Sequence, residues 1–399
     1  MPIRDNRYIP EEDRDFFILL RAGLWQKAEE PLSDSPDWEY IYTIACEQTV
    51  QGIVADGITI LKAAYDQGQF TTPFPTGEHW QDTYDKFLSA VAQIVRRNWL
   101  VDQEQTKICD ILNRSGIRYC IIKGQVVARC YPKPMLRCSG DIDILFDKDM
   151  RLAVDVLTPL ATNVNGHLND VDSHYDMYFR GVPPDPQAVE VELHEVARSY
   201  FADKLDQVTE AERELMFTGS NFTHYQHNGI MIQTPSLTYH TLFLLSHILR
   251  HVMNTGIGLR QFCDWAVFLS RNREELNREI ITYMIYHAGF QRQWNIFRTF
   301  ISDFLGLSPE LDPNLKQRDI RSSNHILWEQ CKEMGNFGHN RTEKEYNSDC
   351  FVSRNWYYAM SANALFMRTF RIAPRNAIQR LINFYTTQAR AIIRRTSNF

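Results

Sequence analysis

The chain has 399 residues, 44% hydrophobic and 12% aromatic, enough to build the cores of two or three domains. A charged fraction of 23% is that of an ordinary globular protein, and a net charge of −6 argues against a nucleic-acid coat over the whole chain. The charge is uneven: residues 351–399 hold eight Arg and no Asp or Glu, so the remainder carries about −14.

Met1–Asp15 is rich in charge and lacks the apolar stretch that heads a secreted chain. No uninterrupted apolar run approaches the roughly 18 residues of a membrane span, so a cytoplasmic protein with no membrane partner is expected. Asp13–Trp25 places Phe16, Phe17, Leu19, Leu20 and Leu24 at helical spacing. Asp37–Leu61 repeats the pattern with Trp38, Ile41, Ile44, Ala45, Ile53 and Ile58. Gly68–Gly77 is rich in Pro and Gly and reads as a loop. A long helix is expected over Asp82–Ser115, with Gly116 as its stop signal.

The pattern then changes. Arg118–Ile122 is a short β-prone run, Gln125–Cys130 a short helix, and Tyr131–Pro134 a break. Ser139-Gly140 forms a turn into a strand at Asp141–Phe146, and Asp147–Leu160 reads as a helix. Asn163–Ala188 holds weakly patterned strands and loops. Val189–Val196 alternates cleanly, with Val189, Val191 and Leu193 on one face and Glu190, Glu192 and His194 on the other. Helices return after about residue 205, at Tyr239–Met253, Gly258–Asn272 and Glu279–Leu305. Ser308–Ser323 reads as a long connection, and two further helices from about Trp356 break near Pro374. The expected class is α+β, a small mixed sheet embedded in a mostly helical chain. It divides into helices at 1–95, an α/β core at 96–230 and a helical domain at 231–399. None of the eight cysteines forms a CxxC pair, which disfavours a zinc ribbon and suits reduced, buried thiols.

Asp141 and Asp143, two apart on a strand, project from one face while Ile142 turns into the core. Two carboxylates held this way repel each other, and a hard divalent cation relieves that repulsion. Glu192, on the polar face of its own strand, joins them if the strands are neighbours. Three carboxylates can hold two metal ions, suited to a transfer that needs mainly positioning and charge neutralisation. Lys123-Gly124 follows a strand, so its backbone can approach a phosphate and Lys123 adds a point charge.

Ile122-Lys123-Gly124, Tyr131-Pro132, Arg137 to Leu145 and Glu192-Leu193-His194 together resemble the uncharacterised nucleotidyltransferase family of the polymerase-β superfamily. Weaker resemblance spans residues 15–270 and includes Gly256 to Asp264. It implies a mixed sheet with helices on one face, and transfer of a nucleoside monophosphate from an NTP with two Mg2+ ions, Mn2+ being an alternative. Asp141, Asp143 and Glu192 would be the catalytic metal ligands. Lys123, Gly124, Gln125, Arg137, Ser139, Gly140 and Arg260 would form the nucleotide-binding set. Many superfamily members carry Ser where this chain has Gln125, so Lys123 or Ser139 would take over that phosphate contact.

Alternatives stay open. Glu190 shares a face with Glu192. His194 either meets substrate or partners a carboxylate. His240, His247 and His251 share a helical face; the i,i+4 pair His247 and His251 either binds a metal or, as the alternative, lines a substrate cleft or serves as core histidines. Arg260 either faces the triphosphate or pairs with Asp264 four residues on. The Arg-rich tail either binds a phosphate-rich partner or is a solvated face. An Asp-x-Asp glycosyltransferase and a non-catalytic nucleotide binder are the competing functions. A small hydroxylated acceptor is favoured over protein or RNA.

Overall fold

The computed structural model describes residues 9–167, 174–195, 203–253, 256–308, 321–335 and 351–396. Helices α1 (Arg14–Trp25) and α3 (Gln51–Asp66) meet through glycine. A Cβ on Gly57 would lie 1.9 Å from the Leu19 carbonyl oxygen, and one on Gly23 2.0 Å from that of Ile53. Helix α2 (Trp38–Glu47) precedes α3 as a separate element. The single expected pattern over Asp37–Leu61 splits because Thr49 turns to a left-handed φ of 53° between the two helices. Asp37 caps α2 by accepting from the Tyr40 amide.

The long helix α4 (Trp80–Arg114) joins the two halves of the fold. Its Phe87 enters the large helical core, while Ile108, Cys109 and Leu112 lie under the sheet. The expected division at 95/96 falls inside this helix.

The sheet holds β1 (Tyr119–Ile122), β2 (Ile142–Phe146), β3 (Asn163–His167), β4 (His174–Phe179) and β5 (Val189–His194), in the order β1-β2-β5-β4-β3. Only β2 and β5 run parallel; the other neighbours are antiparallel. The apolar parity of β2 and β5 (Ile142, Ile144, Phe146, Val189, Val191 and Leu193) packs with α4 and with α6 (Met150–Leu157). On the other face, Cys120, Ile122 and Leu145 meet α7 (Asp203–Thr218) and α8 (Leu237–Met253). Helices therefore touch both faces, where the family resemblance implied one. Between β1 and β2 sits α5 (Gly124–Ala128), barely more than one turn.

The hairpin of β6 (Thr223–His227) and β7 (Ile230–Thr234) was not anticipated. Its signal was present: Asn228 and Gly229 take φ of 47° and 81°, the two-residue turn that Asn-Gly favours. The expected limit at 230/231 cuts this hairpin.

Helices α9 (Leu259–Arg271), α10 (Arg278–Ala288) and α11 (Gln291–Asp303) follow. The run Glu279–Leu305 divides at Gly289, which ends α10 with φ of 73°. Helix α12 (Arg321–Met334) is additional to the expected set and begins inside the predicted Ser308–Ser323 connection. Residues 309–320 of that connection lie outside the described residues, as do Met1–Tyr8, Val196 and Cys350. The seven described cysteines are free, and Cys109, Cys120, Cys263 and Cys331 are buried. The chain closes with α13 (Phe351–Phe370) and α14 (Pro374–Thr396).

Because the Leu19 carbonyl leaves no room for a methyl group, Gly57→Ala must push α1 from α3. It is expected to cost about 1–3 kcal/mol of unfolding free energy, read by urea denaturation. Unchanged stability would show that the two helices are not in backbone contact.

Candidate functional site

Parallel pairing of β2 with β5 sets Asp143 directly opposite Glu192, and Leu145 opposite His194. Alternation turns Ile142 and Val191 into the core and leaves Asp143, Glu192 and His194 on the opposite face. Asp143 is only 1% exposed. Lys123 Nζ donates to Asp143 Oδ1 at 2.5 Å, and His194 Nε2 lies 3.0 Å from that same oxygen and 3.2 Å from Glu192 Oε2. His194 is thus a carboxylate partner. Ligand atoms of Asp143, Glu192 and His194 all fall within 4.8 Å of one another, a spacing and donor set that fit one divalent cation. Asp176, Glu190 and Glu192 form a second such group, in which Glu190 also accepts from the Tyr178 hydroxyl at 2.7 Å.

Charge balance follows from these contacts. Burial pushes the Glu192 carboxyl up, but the His194 hydrogen bond and the Lys123 charge bring it below its ordinary value. Burial disfavours the charged forms of His194 and Lys123. Hydrogen bonding to Asp143 and Glu192, which accept, nevertheless holds His194 above its usual range, and the charges of Asp143, Glu192 and Asp141 hold Lys123 above its own. Lys123 sits at φ 56°, ψ −131°, a backbone conformation rare outside glycine. Gly124 was expected to let the chain approach a phosphate closely; the positive φ of this turn falls on Lys123 before it. A Cβ on Gly124 would make only an ordinary contact, 3.6 Å from the Asp141 carbonyl oxygen.

The cluster opens into a cleft of about 820 Å³, counted out to bulk solvent. Its acidic side holds Asp141, Asp143 and Glu192, and its opposite side is built from α8 and α9 with His247, Arg250, His251 and Arg260. Lys123, Gly124, Arg137 and Gly140 also line it, whereas Gln125 and Ser139 do not. Gln125 instead donates to the Asp141 carbonyl at 3.1 Å. Arg97 of α4 braces the turn from behind by donating to the Gly140 and Ala188 carbonyls.

Arg137 makes a two-pronged pair with Asp264, both bonds at 2.7 Å, and Asp264 also accepts from the Tyr131 hydroxyl at 2.7 Å. This corrects the reading of Asp264 as the partner of Arg260 four residues before it. Arg260 instead donates to the Cys138 carbonyl at 2.8 Å, next to the Ser139-Gly140 turn. Sequence spacing favoured the local pair because nothing in it reports that α9 packs against the segment around Arg137. Arg250 and Asp264 were not expected as lining residues either, although both lie in stretches already marked.

Among the histidines, His240 packs on the Phe268 ring at 4.7 Å, while His247 and His251 stack edge to face at 4.4 Å. Only the latter two reach the cleft. Burial holds His240 and His251 down to about 3 and pulls His247 below its usual range.

The profile of a family described as "Uncharacterised nucleotidyltransferase" matches residues 34–306. No curated protein matches the chain. A crystal structure of an antigenic nucleotidyltransferase-like protein from Paracoccidioides brasiliensis is similar at 14% identity. The match covers 53% of this chain and 93% of that one, with a TM-score of 0.32.

Two outcomes follow. Asp264→Ala strands the buried Arg137 charge and is expected to cost about 3–5 kcal/mol in urea unfolding; a loss below about 1 kcal/mol would remove the pair as the turn's anchor. The buried histidines are neutral when folded but protonate when unfolded. Stability therefore falls as pH drops from about 6.5 toward 3. His240→Asn should lessen that slope by about 1.4 kcal/mol per pH unit, measured between pH values of about 6 and 4. An unaltered slope contradicts the assignment.

Proposed function

The chain belongs to the uncharacterised nucleotidyltransferase family, and from that premise we propose a metal-dependent transfer of a nucleoside monophosphate from an NTP to a hydroxyl acceptor. The observation that carries the reading is the facing of Asp143 and Glu192 across adjacent parallel strands on the floor of a cleft whose other side is cationic. Asp143 and Glu192 would hold a divalent cation with His194 beside them, and Asp141 would join from the cleft edge. Mg2+ is the ion proposed, with a second one near Asp141, and Mn2+ as its substitute. When bound, such a cation supplies Lewis-acid neutralisation of phosphate charge.

The chain's own residues do the rest. Lys123 and Arg260 face the cleft and would neutralise the triphosphate, aided by Arg250. Gly124 and Gly140 keep the backbone low enough for phosphate to come close, a role in which α5 adds little macrodipole because it is so short. Arg137 would act indirectly, since its guanidinium is committed to Asp264 and thereby fixes the turn leading to Asp141. Gln125 and Ser139, outside the lining, would support the loop rather than touch phosphate. His247 and His251, uncharged at neutral pH, would border the acceptor. In the reaction the acceptor oxygen bonds to the α-phosphorus as the bond to the bridging oxygen breaks. Pyrophosphate leaves, and the acceptor proton passes to a cleft carboxylate or solvent.

A small hydroxylated acceptor is proposed over a polymer, with a cytoplasmic setting to supply NTP. Incubation with each NTP, Mg2+ and candidate acceptors is expected to release pyrophosphate. Asp141→Ala with Asp143→Ala should reduce that release by at least about 10²-fold; because Lys123 and His194 lose a buried partner, circular dichroism checks the fold and Glu192→Gln provides a second variant with the same expected loss. Release of a nucleoside diphosphate from a sugar nucleotide would instead establish glycosyl transfer. NTP binding without any pyrophosphate would establish a non-catalytic binder.

A further inference from the structure

The two terminal helices carry a surface that the cleft does not use. On α13, Trp356, Met360, Met367 and Phe370 are exposed, Trp356 by 68% and Met367 by 71%. Their spacing of four, seven and three places them within roughly one quarter of the helix circumference. On α14, Ile378, Ile382 and Tyr385 are exposed at spacings of four and three. The helices face each other through another side, where Phe366 and Thr369 of α13 and Ala377, Leu381 and Phe384 of α14 line a small shared cavity.

Both stripes lie on one side of this hairpin. At about 100° per residue, each stripe is turned roughly 100–115° from the seam in the same rotational sense. In an antiparallel pair that puts both on a common face. A direct contact agrees: Asn363, in the middle of the α13 stripe, donates to the Tyr385 hydroxyl at 2.6 Å. The hairpin's turn is anchored to the body by buried Ile372, Ala373 and Ala377, by the Arg368–Glu333 pair, and by Arg292 donating to the Arg371 carbonyl.

We propose that this face seats the protein on an anionic lipid surface. Seven large apolar side chains would enter the headgroup–acyl boundary while arginines of the same hairpin meet lipid phosphates. Charge complementarity selects the occupant: eight Arg and no acidic residue fall in 351–399, against about −14 on the rest of the chain. That asymmetry would also orient the acidic body away from the lipid. A two-fold contact between copies would instead bring together two segments of like charge, each with eight Arg and no acidic residue in its sequence. An RNA strand would leave Met360, Met367, Ile378 and Ile382 without base or phosphate partners. No described helix is long and apolar enough to cross a membrane, so the attachment lies on the surface. The expectation of no membrane partner is accordingly narrowed to the absence of a spanning helix among the described residues.

Flotation of the full chain with vesicles tests this. Recovery with equal parts phosphatidylcholine and phosphatidylglycerol is expected to exceed that with phosphatidylcholine alone by about tenfold, and to fall with added salt. Trp356→Ser with Ile382→Ser should abolish recovery while circular dichroism and pyrophosphate release stay unchanged. As a check independent of folding, the fluorescence difference between the wild type and Trp356→Phe should shift to the blue on mixed vesicles. Equal recovery with both vesicles, or recovery kept by the double Ser variant, overturns the proposal. So does a stable dimer or an RNA complex lost in that variant while vesicle recovery is absent.

Discussion

A carboxylate almost wholly removed from water sits at the middle of the fold, and its neutralisation constrains everything around it. Asp143 lies on a buried strand, where an unpaired charge would cost several kcal/mol. Lys123 and His194 answer that charge from two different neighbours, one at the end of β1 and the other on β5. Both contacts require β2 to lie between those strands, in the observed register. A slip by one residue would turn Asp143 into the apolar layer beside Val191 and Leu193, and Ile142 and Ile144 out of it. Strand order and electrostatics are thus two views of one requirement.

The helical halves serve this strand from either side. Gly52 of α3 packs so closely on the Leu136 carbonyl that an added Cβ would stand 2.2 Å from it, and Leu136 directly precedes Arg137. Arg137 then reaches across to Asp264 of α9, while Asn98 of α4 donates to the Met135 and Arg137 carbonyls. The loop that presents Asp141 is therefore held by three helices distant in sequence. Such a frame keeps the cationic side of the cleft opposite the acidic floor without relying on the short α5.

Much of this was legible in the sequence because local periodicity reports burial. Alternation in Val189–His194 and in Ile142–Phe146 revealed which side chains share a face, and β5 shows that alternation as buried and half-buried residues. Asp143 and Glu192 meet as that patterning required if the strands were neighbours. Partners contributed by distant elements left no local trace. Nothing near Asp264 in sequence tells that Arg137 and Tyr131 reach it, so its i−4 neighbour Arg260 was the natural partner. The hairpin at Asn228-Gly229 was overlooked for another reason: Thr223–His227 is polar and largely exposed, so hydrophobic periodicity was silent and only the turn chemistry spoke.

The proposed chemistry requires Asp143 and Glu192 to form a single cation site on the cleft floor. Crystals grown with Mn2+ and a non-hydrolysable NTP analogue test it through anomalous scattering. A peak within about 2.5 Å of oxygens from both Asp143 and Glu192, with the triphosphate extending toward Lys123 and Arg260, is the predicted result. A bound triphosphate with no anomalous peak between those two carboxylates would contradict it.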